Sequence, residues 1–292
     1  MSLKTIEQQL QKHVYHLADE IGERNVLHPE ALQAAEVYIS QNWHKQGYTV
    51  EKQAYQEEGV RCANIEVNHQ GSSHPEKIIL IGAHYDSVTG SPGANDNGSG
   101  VAALLELSRL LCSSSTEMTI RFVAFTNEEP PFFFRGRQGS RIYAKNVRQR
   151  GDNIRLMIAL ETMGYFSNEP NSQSYPPLFH FFYPDRANFI SMVSNFRSRK
   201  LMHKMAKAFR SSTEFPLEHV STFSFIPGVA WSDHLSFWMN RYKAMMITDT
   251  AFYRYPYYHT AKDTAEKLDY AQLAQVCDGL SKALVMLANE EL

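Results

Sequence analysis

Ionisable side chains recur at the points where apolar, strand-like runs end. Ile78-Ile79-Leu80-Ile81 leads into Gly82-Ala83-His84-Tyr85-Asp86-Ser87, and Thr119 to Thr126 leads into Asn127-Glu128-Glu129-Pro130-Pro131. Leu156 to Leu160 ends in Glu161. Between the first two runs, Pro92 to Gly100 packs glycines around Asp96, and far downstream Tyr257-Tyr258-His259-Thr260 adds a second imidazole. Each segment alone has an ordinary reading: a hydrogen-bonded histidine, a helix-capping aspartate, two solvated glutamates. Together they put imidazoles and carboxylates on one edge of one sheet. Carboxylates crowded in this way repel one another and carry raised pKa values unless a cation offsets them.

A metal is the natural offset. Nitrogen and oxygen donors without thiolate suit Zn²⁺ in a hydrolytic role, with Mn²⁺ or Co²⁺ as substitutes. Five ligands (His84, Asp96, Glu129, Glu161 and His259) are too many for one catalytic zinc that keeps a water position open. They divide between two ions that share a bridging carboxylate and activate a water between them. Two zinc ions per chain and hydrolytic chemistry are therefore expected. Asp86, two residues beyond His84, is placed to hold one ring nitrogen and leave the other free for metal.

The elements that must position these groups alternate between strand and helix. Helical spacing runs from residue 4 to about 21 and from Pro29 to Gly47, and again over Ser99 to Cys112, Ser140 to Arg150, near Asp233 to Arg241 and from about Tyr270 onward. Strand patterns cover Tyr48 to Tyr55, Ala63 to Val67, the three runs above and Ala244 to Ile247. Such alternation predicts an α/β domain whose largely parallel sheet is covered on both faces, with ligands at the carboxyl ends of its strands. No linker or repeat divides residues 1–292, so a single domain is expected. The stretch 165–225 predicts an insertion bordering the site, with a strand over Leu178 to Tyr183 and a helical pattern through Ala208.

Composition narrows the partners. The 292 residues are 43% hydrophobic and 21% charged, enough to bury a large core without a structural metal. Twenty-nine basic against 31 acidic residues lack the cationic excess that nucleic-acid binding needs. Cys62, Cys112 and Cys277 lie far apart, without metal or redox spacing, and read as buried small hydrophobes. No apolar run approaches the ~20 residues of a membrane span. The start of the chain has no apolar signal core, but a chain trimmed of a signal peptide would start the same way; cytoplasmic and secreted locations both stay open. Aromatic loops flank the proposed centre. Phe132, Phe133 and Phe134, with Tyr253, Tyr255, Tyr257 and Tyr258, are candidates to line a substrate pocket, and Arg135, Arg137 and Arg254 to hold a substrate carbonyl or carboxylate.

The strand-end segments, with Ser232-Asp233-His234 and Asp263-Thr264, resemble the di-zinc aminopeptidases of the aminopeptidase Y/S type, zinc exopeptidases related to glutaminyl cyclases. The resemblance runs in order from residue 82 to 264. It implies a three-layer α/β/α sandwich with a mixed, mostly parallel sheet of about eight strands. It implies that His84 and Glu161 bind one zinc, that Glu129 and His259 bind the other, and that Asp96 bridges them. Glu128 would be the general base, Asp86 the partner of His84, and Asp233 a brace capping the helix that follows it. The family often has Asp where Glu161 stands here; the longer arm keeps a carboxylate available. The implied activity is removal of the N-terminal residue from a peptide with a free amino end. A single-zinc glutaminyl-peptide cyclotransferase is the alternative, and a non-catalytic binding domain, as in the related transferrin-receptor ectodomain, a third reading.

Overall fold

The computed structural model describes residues 2–290 and 292. Its strands are β1 (Glu51–Glu57), β2 (Val60–His69), β3 (His74–His84), β4 (Met118–Phe125), β5 (Asn153–Glu161), β6 (Ile190–Ser194), β7 (Leu217–Ser221) and β8 (Ala244–Thr248). They form one sheet in the order β1-β2-β4-β3-β5-β8-β6-β7. The centre, β4-β3-β5-β8, is parallel, whereas β1-β2, β2-β4 and β6-β8 pair antiparallel. The helices are α1 (Leu3–Tyr15), α2 (Pro29–Lys45), α3 (Gly100–Leu111), α4 (Phe132–Arg135), α5 (Gly139–Arg150), α6 (Arg199–Ser212), α7 (His234–Met239) and α8 (Tyr270–Ala288). Among the described residues, no helix is long and apolar enough to cross a membrane.

The central strands read as unbroken apolar runs because both of their faces are covered. Ile79, Ile81, Phe122, Ile158 and Leu160 pack in one core with residues of α1, α3 and α8, including Leu10, Leu104 and Leu280. Their neighbours Ile78, Leu80, Val123, Phe125 and Met157 point the other way, onto Tyr143 and Val147 of α5 and Phe237 of α7. The result is the expected three-layer sandwich with a mixed eight-stranded sheet. At Gly82 the absence of a side chain is required, since a Cβ would lie 2.3 Å from the Phe125 ring.

The structure departs from the sequence expectations in three places. Residues 190–221 are no appendage, because β6, α6 and β7 within them extend the central sheet. Residues 165–189 and 222–225 carry no strand or α-helix. Within the first of these the expected strand Leu178 to Tyr183 is a 3₁₀ turn, Phe179–Phe181. Pro176 and Pro177 just before it lack amide donors for a ladder, and Tyr175, Phe179 and Tyr183 stack on one another instead. Cys62 and Cys277 are buried, but Cys112, at the end of α3, is exposed; all three are free thiols.

Candidate metal centre

Parallel pairing of β4, β3 and β5 brings three of the ionisable segments together. His84 is the last residue of β3, Glu161 the last of β5, and Glu128 and Glu129 follow β4 by three and four positions. Asn127 and Thr162 turn the chain out of its strands with positive φ, 57° and 44°. Asp96 comes from the glycine-rich turn before α3, and His259 from the loop after β8, itself at φ 58°. His84, Asp96, Glu128, Glu129 and Glu161 are buried; His259 is partly exposed.

Asp96 lies between the two imidazoles. Its Oδ1 is 3.3 Å from His84 Nε2, which is also 3.3 Å from Glu161 Oε2. Its Oδ2 is 3.0 Å from His259 Nε2, which is 3.2 Å from Glu129 Oε2. His259 Nε2 and Glu129 Oε1 nevertheless have no well-directed hydrogen bond among the described residues. The donors therefore aim at points between them rather than at one another. Donors 2.0–2.2 Å from a tetrahedral zinc lie roughly 3.3–3.6 Å apart, close to what these atoms show. The residues present thus fit a metal, and His84, Asp96 and Glu129 each offer a donor atom within 4.8 Å of the others.

Electrostatics agree with a missing positive charge. Burial lifts the Glu129 carboxyl to about 7, with the Asp96 charge adding to it. Burial raises Glu128 well above the usual carboxylate range; Glu161, Glu129 and Asp233 add repulsion and His84 opposes it. Glu161 is also raised by burial. For the imidazoles burial works against the cation, but carboxylates prevail. Glu161, Asp86 and Asp96 raise His84, while Asp96 and Glu129 lift His259 to about 11. Asp96 is held low, since His259 and His84 outweigh the effect of burial.

The supporting groups form a second layer. The His84 Nδ1–H donates to the Asp86 carbonyl at 3.2 Å, which turns Nε2 toward Asp96 and Glu161. The Asp86 carboxylate lies 3.6 Å from His84 Nδ1 and also accepts the backbone N–H of Glu128 at 3.1 Å and of Glu129 at 3.2 Å. Asp86 thus positions β3 and β4 groups together. Ser232 donates to Glu161 Oε2 at 2.7 Å. The neighbouring Asp233 does not cap α7 as expected. Its buried carboxyl faces His84, Glu161 and Asp86, and burial lifts it to about 7.

Two contributors, Asn97 and Arg24, carry no sequence signal of their own. Asn97 donates to the Leu160 carbonyl at 2.8 Å and accepts from the Thr162 and Gly100 N–H groups, both at 3.1 Å. Fully buried Arg24 binds the carbonyls of Tyr85, Pro92 and Gly93 at 2.6, 2.6 and 2.8 Å, fastening the segment between His84 and Asp96. Tyr258 stacks on the His259 ring at 3.9 Å and borders an apolar cleft that begins at Glu161. Of the seven aromatic residues expected in the pocket, Tyr253 and Tyr258 line that cleft, whereas Phe132, Phe133, Phe134, Tyr255 and Tyr257 do not. Phe132 is buried, and Tyr255 is buried with its hydroxyl on Asp263 at 2.7 Å. The arginines are also engaged. Arg135 pairs with Glu58, Arg137 with Glu57, and buried Arg254 binds Gln173 and the Phe189 carbonyl.

Imidazole and carboxylate donors at the carboxyl edge of an α/β/α sheet are the donor chemistry of a hydrolytic metal site. The chain belongs to peptidase family M28, which matches residues 64–284. It is 38% identical to the Escherichia coli K12 protein YfbL over 282 residues, 94% of this chain and 86% of that one. Among solved structures, the zinc aminopeptidase BSAP of Bacillus subtilis aligns over 98% of this chain and 95% of its own, with TM-score 0.76 and 16% identity. A glutaminyl cyclase of Bacteroides thetaiotaomicron aligns over 98% of both chains, with TM-score 0.71 and 21% identity. At these identities both share its fold.

Proposed function

We propose that this protein is a two-zinc aminopeptidase that hydrolyses the N-terminal peptide bond of peptides. The observation that carries the reading is Asp96, whose two oxygens face two separate imidazole–carboxylate pairs. His84 and Glu161 would hold one ion, His259 and Glu129 the other, with Asp96 between. Membership of a peptidase family supports it. Zinc bound there supplies Lewis acidity toward the scissile carbonyl and lowers the pKa of water.

The remaining work falls to the chain. Glu128 accepts the proton of the attacking water and returns it to the leaving amine; its backbone is fixed by Asp86 and its Oε1 lies 3.4 Å from the Gln138 amide. Burial keeps the proton-transfer groups away from bulk water, and Ser232 orients Glu161.

The test is hydrolysis of a panel of amino-acid anilides before and after chelation. Chelator abolishes hydrolysis and Zn²⁺ restores it; undiminished activity in excess chelator contradicts the reading. A Gln-initiated peptide separates the alternative that the glutaminyl cyclase fold raises: free glutamine is the peptidase product, and a pyroglutamyl peptide the cyclase product.

A further inference from the structure

The cleft beside the metal centre ends in a second carboxylate. Its floor follows one row of the sheet, in which Glu161 pairs with Thr248, Thr248 with Ser191, and Ser191 with Glu218. Residues paired across strands point to the same face, so the four side chains lie in line over three strand spacings, about 14 Å. The adjacent row, Met246, Val193 and Val220, is apolar. A trough open to solvent therefore runs from the carboxylate that faces His84 to Glu218.

Aromatic rings wall the Glu218 end. Tyr175 and Tyr183 stack at 5.7 Å, and Phe179 and Tyr183 at 6.0 Å. Their orientation is pinned, because Tyr175 donates to the Pro184 carbonyl at 2.6 Å and Tyr183 to the His219 carbonyl at 3.1 Å. Tyr183 thereby bonds the residue next to Glu218, and both Tyr183 and Glu218 line the cleft. Glu218 has no ion pair within 4.0 Å among the described residues; Arg210, the cation that acts on it, donates to the Leu217 carbonyl.

An apolar trough, ring faces and an unpaired carboxylate suit a cation on a hydrocarbon stem. The stem covers Val193, Val220 and Met246, the rings attract the cation, and the carboxylate hydrogen-bonds it. A short aliphatic side chain would leave the far end unfilled. We propose that the cleft receives the side chain of an N-terminal lysine or arginine, with Glu218 binding its cationic tip and setting specificity. The proposal rests on the aminopeptidase reading.

The test compares kcat/KM for Lys-, Arg-, Leu-, Met- and Glu-anilides in the zinc-loaded protein. Lys and Arg are preferred over Leu and Met, and Glu218→Gln lowers the Lys-to-Leu and Arg-to-Leu ratios about 10- to 100-fold, the worth of a hydrogen bond to a charged group. Glu218→Arg moves the preference from Arg- toward Glu-anilide. Hydrolysis of Leu- and Met-anilide at or above the rate for Lys and Arg, with ratios unmoved in both variants, overturns the specificity while leaving the aminopeptidase intact. Failure to hydrolyse any anilide overturns the aminopeptidase reading and this inference with it.

Discussion

Asp263 holds Asp96 by its backbone: Oδ2 of Asp263 accepts the Asp96 N–H at 3.0 Å. The other oxygen accepts the Asn95 N–H at 2.8 Å and the Tyr255 hydroxyl at 2.7 Å. One buried carboxylate, 167 positions along the chain, thus sets the direction in which the proposed bridging carboxylate points. Asp263→Asn keeps the shape but offers only one accepting oxygen, leaving a buried N–H or hydroxyl without its partner. Zinc affinity falls about 10- to 100-fold, the usual effect of removing a ligand's support. Competition with a fluorescent chelator measures it; unchanged affinity would assign Asp263 no such role.

Glu128→Gln separates metal binding from proton transfer. Both ions stay bound, since none of the five proposed ligands changes, and turnover drops about 10²- to 10⁴-fold, the worth of a general base. Metal analysis alongside steady-state kinetics checks it. A near-normal kcat would remove Glu128 from this role.

The central strands and the groups at their ends were legible because burial on both faces imposes an unbroken apolar run, after which His84, Glu128 and Glu161 stand out. β6 and β7 were not, being five residues each, with one face on an open cleft that tolerates Ser191 and Glu218. The aromatic wall was missed for a related reason. Tyr175 and Glu218 meet only through the register β5-β8-β6-β7, which no local pattern encodes. Phe132 and Tyr255, expected in the pocket, are instead taken up by packing and by Asp263. The Asp86 carboxylate lies 3.6 Å from His84 Nδ1 and also holds the Glu128–Glu129 backbone, a contact between separate strands that no local pattern encodes.

Zinc binding depends on pH with a definite sign. In the metal-free protein Glu129 is lifted to about 7 and His259 to about 11, so both carry protons at slightly acid pH. A ligand must lose its proton to bind, and affinity therefore rises as pH increases from 5.5 to 8, with protons released. Calorimetry in two buffers of different ionisation enthalpy measures the release. Affinity independent of pH over this range would contradict the assignment of these two ligands.

Gly82→Ala tests the packing beneath the centre. The added Cβ meets the Phe125 ring at 2.3 Å, and that ring is itself held between Tyr143 and Phe237, at centroid distances of 5.5 and 6.1 Å. Overpacking of this kind costs about 1–3 kcal/mol, read as a lower denaturant midpoint. An unchanged midpoint would show that the Phe125 ring yields freely.

The count of zinc ions held at saturation bears most directly on the reading of Asp96 as a bridge. Equilibrium dialysis of the purified protein, with metal determined by mass spectrometry, gives two zinc ions per chain, and His259→Ala reduces this to one. A single zinc per chain in the unsubstituted protein at saturating metal would contradict the two-metal centre.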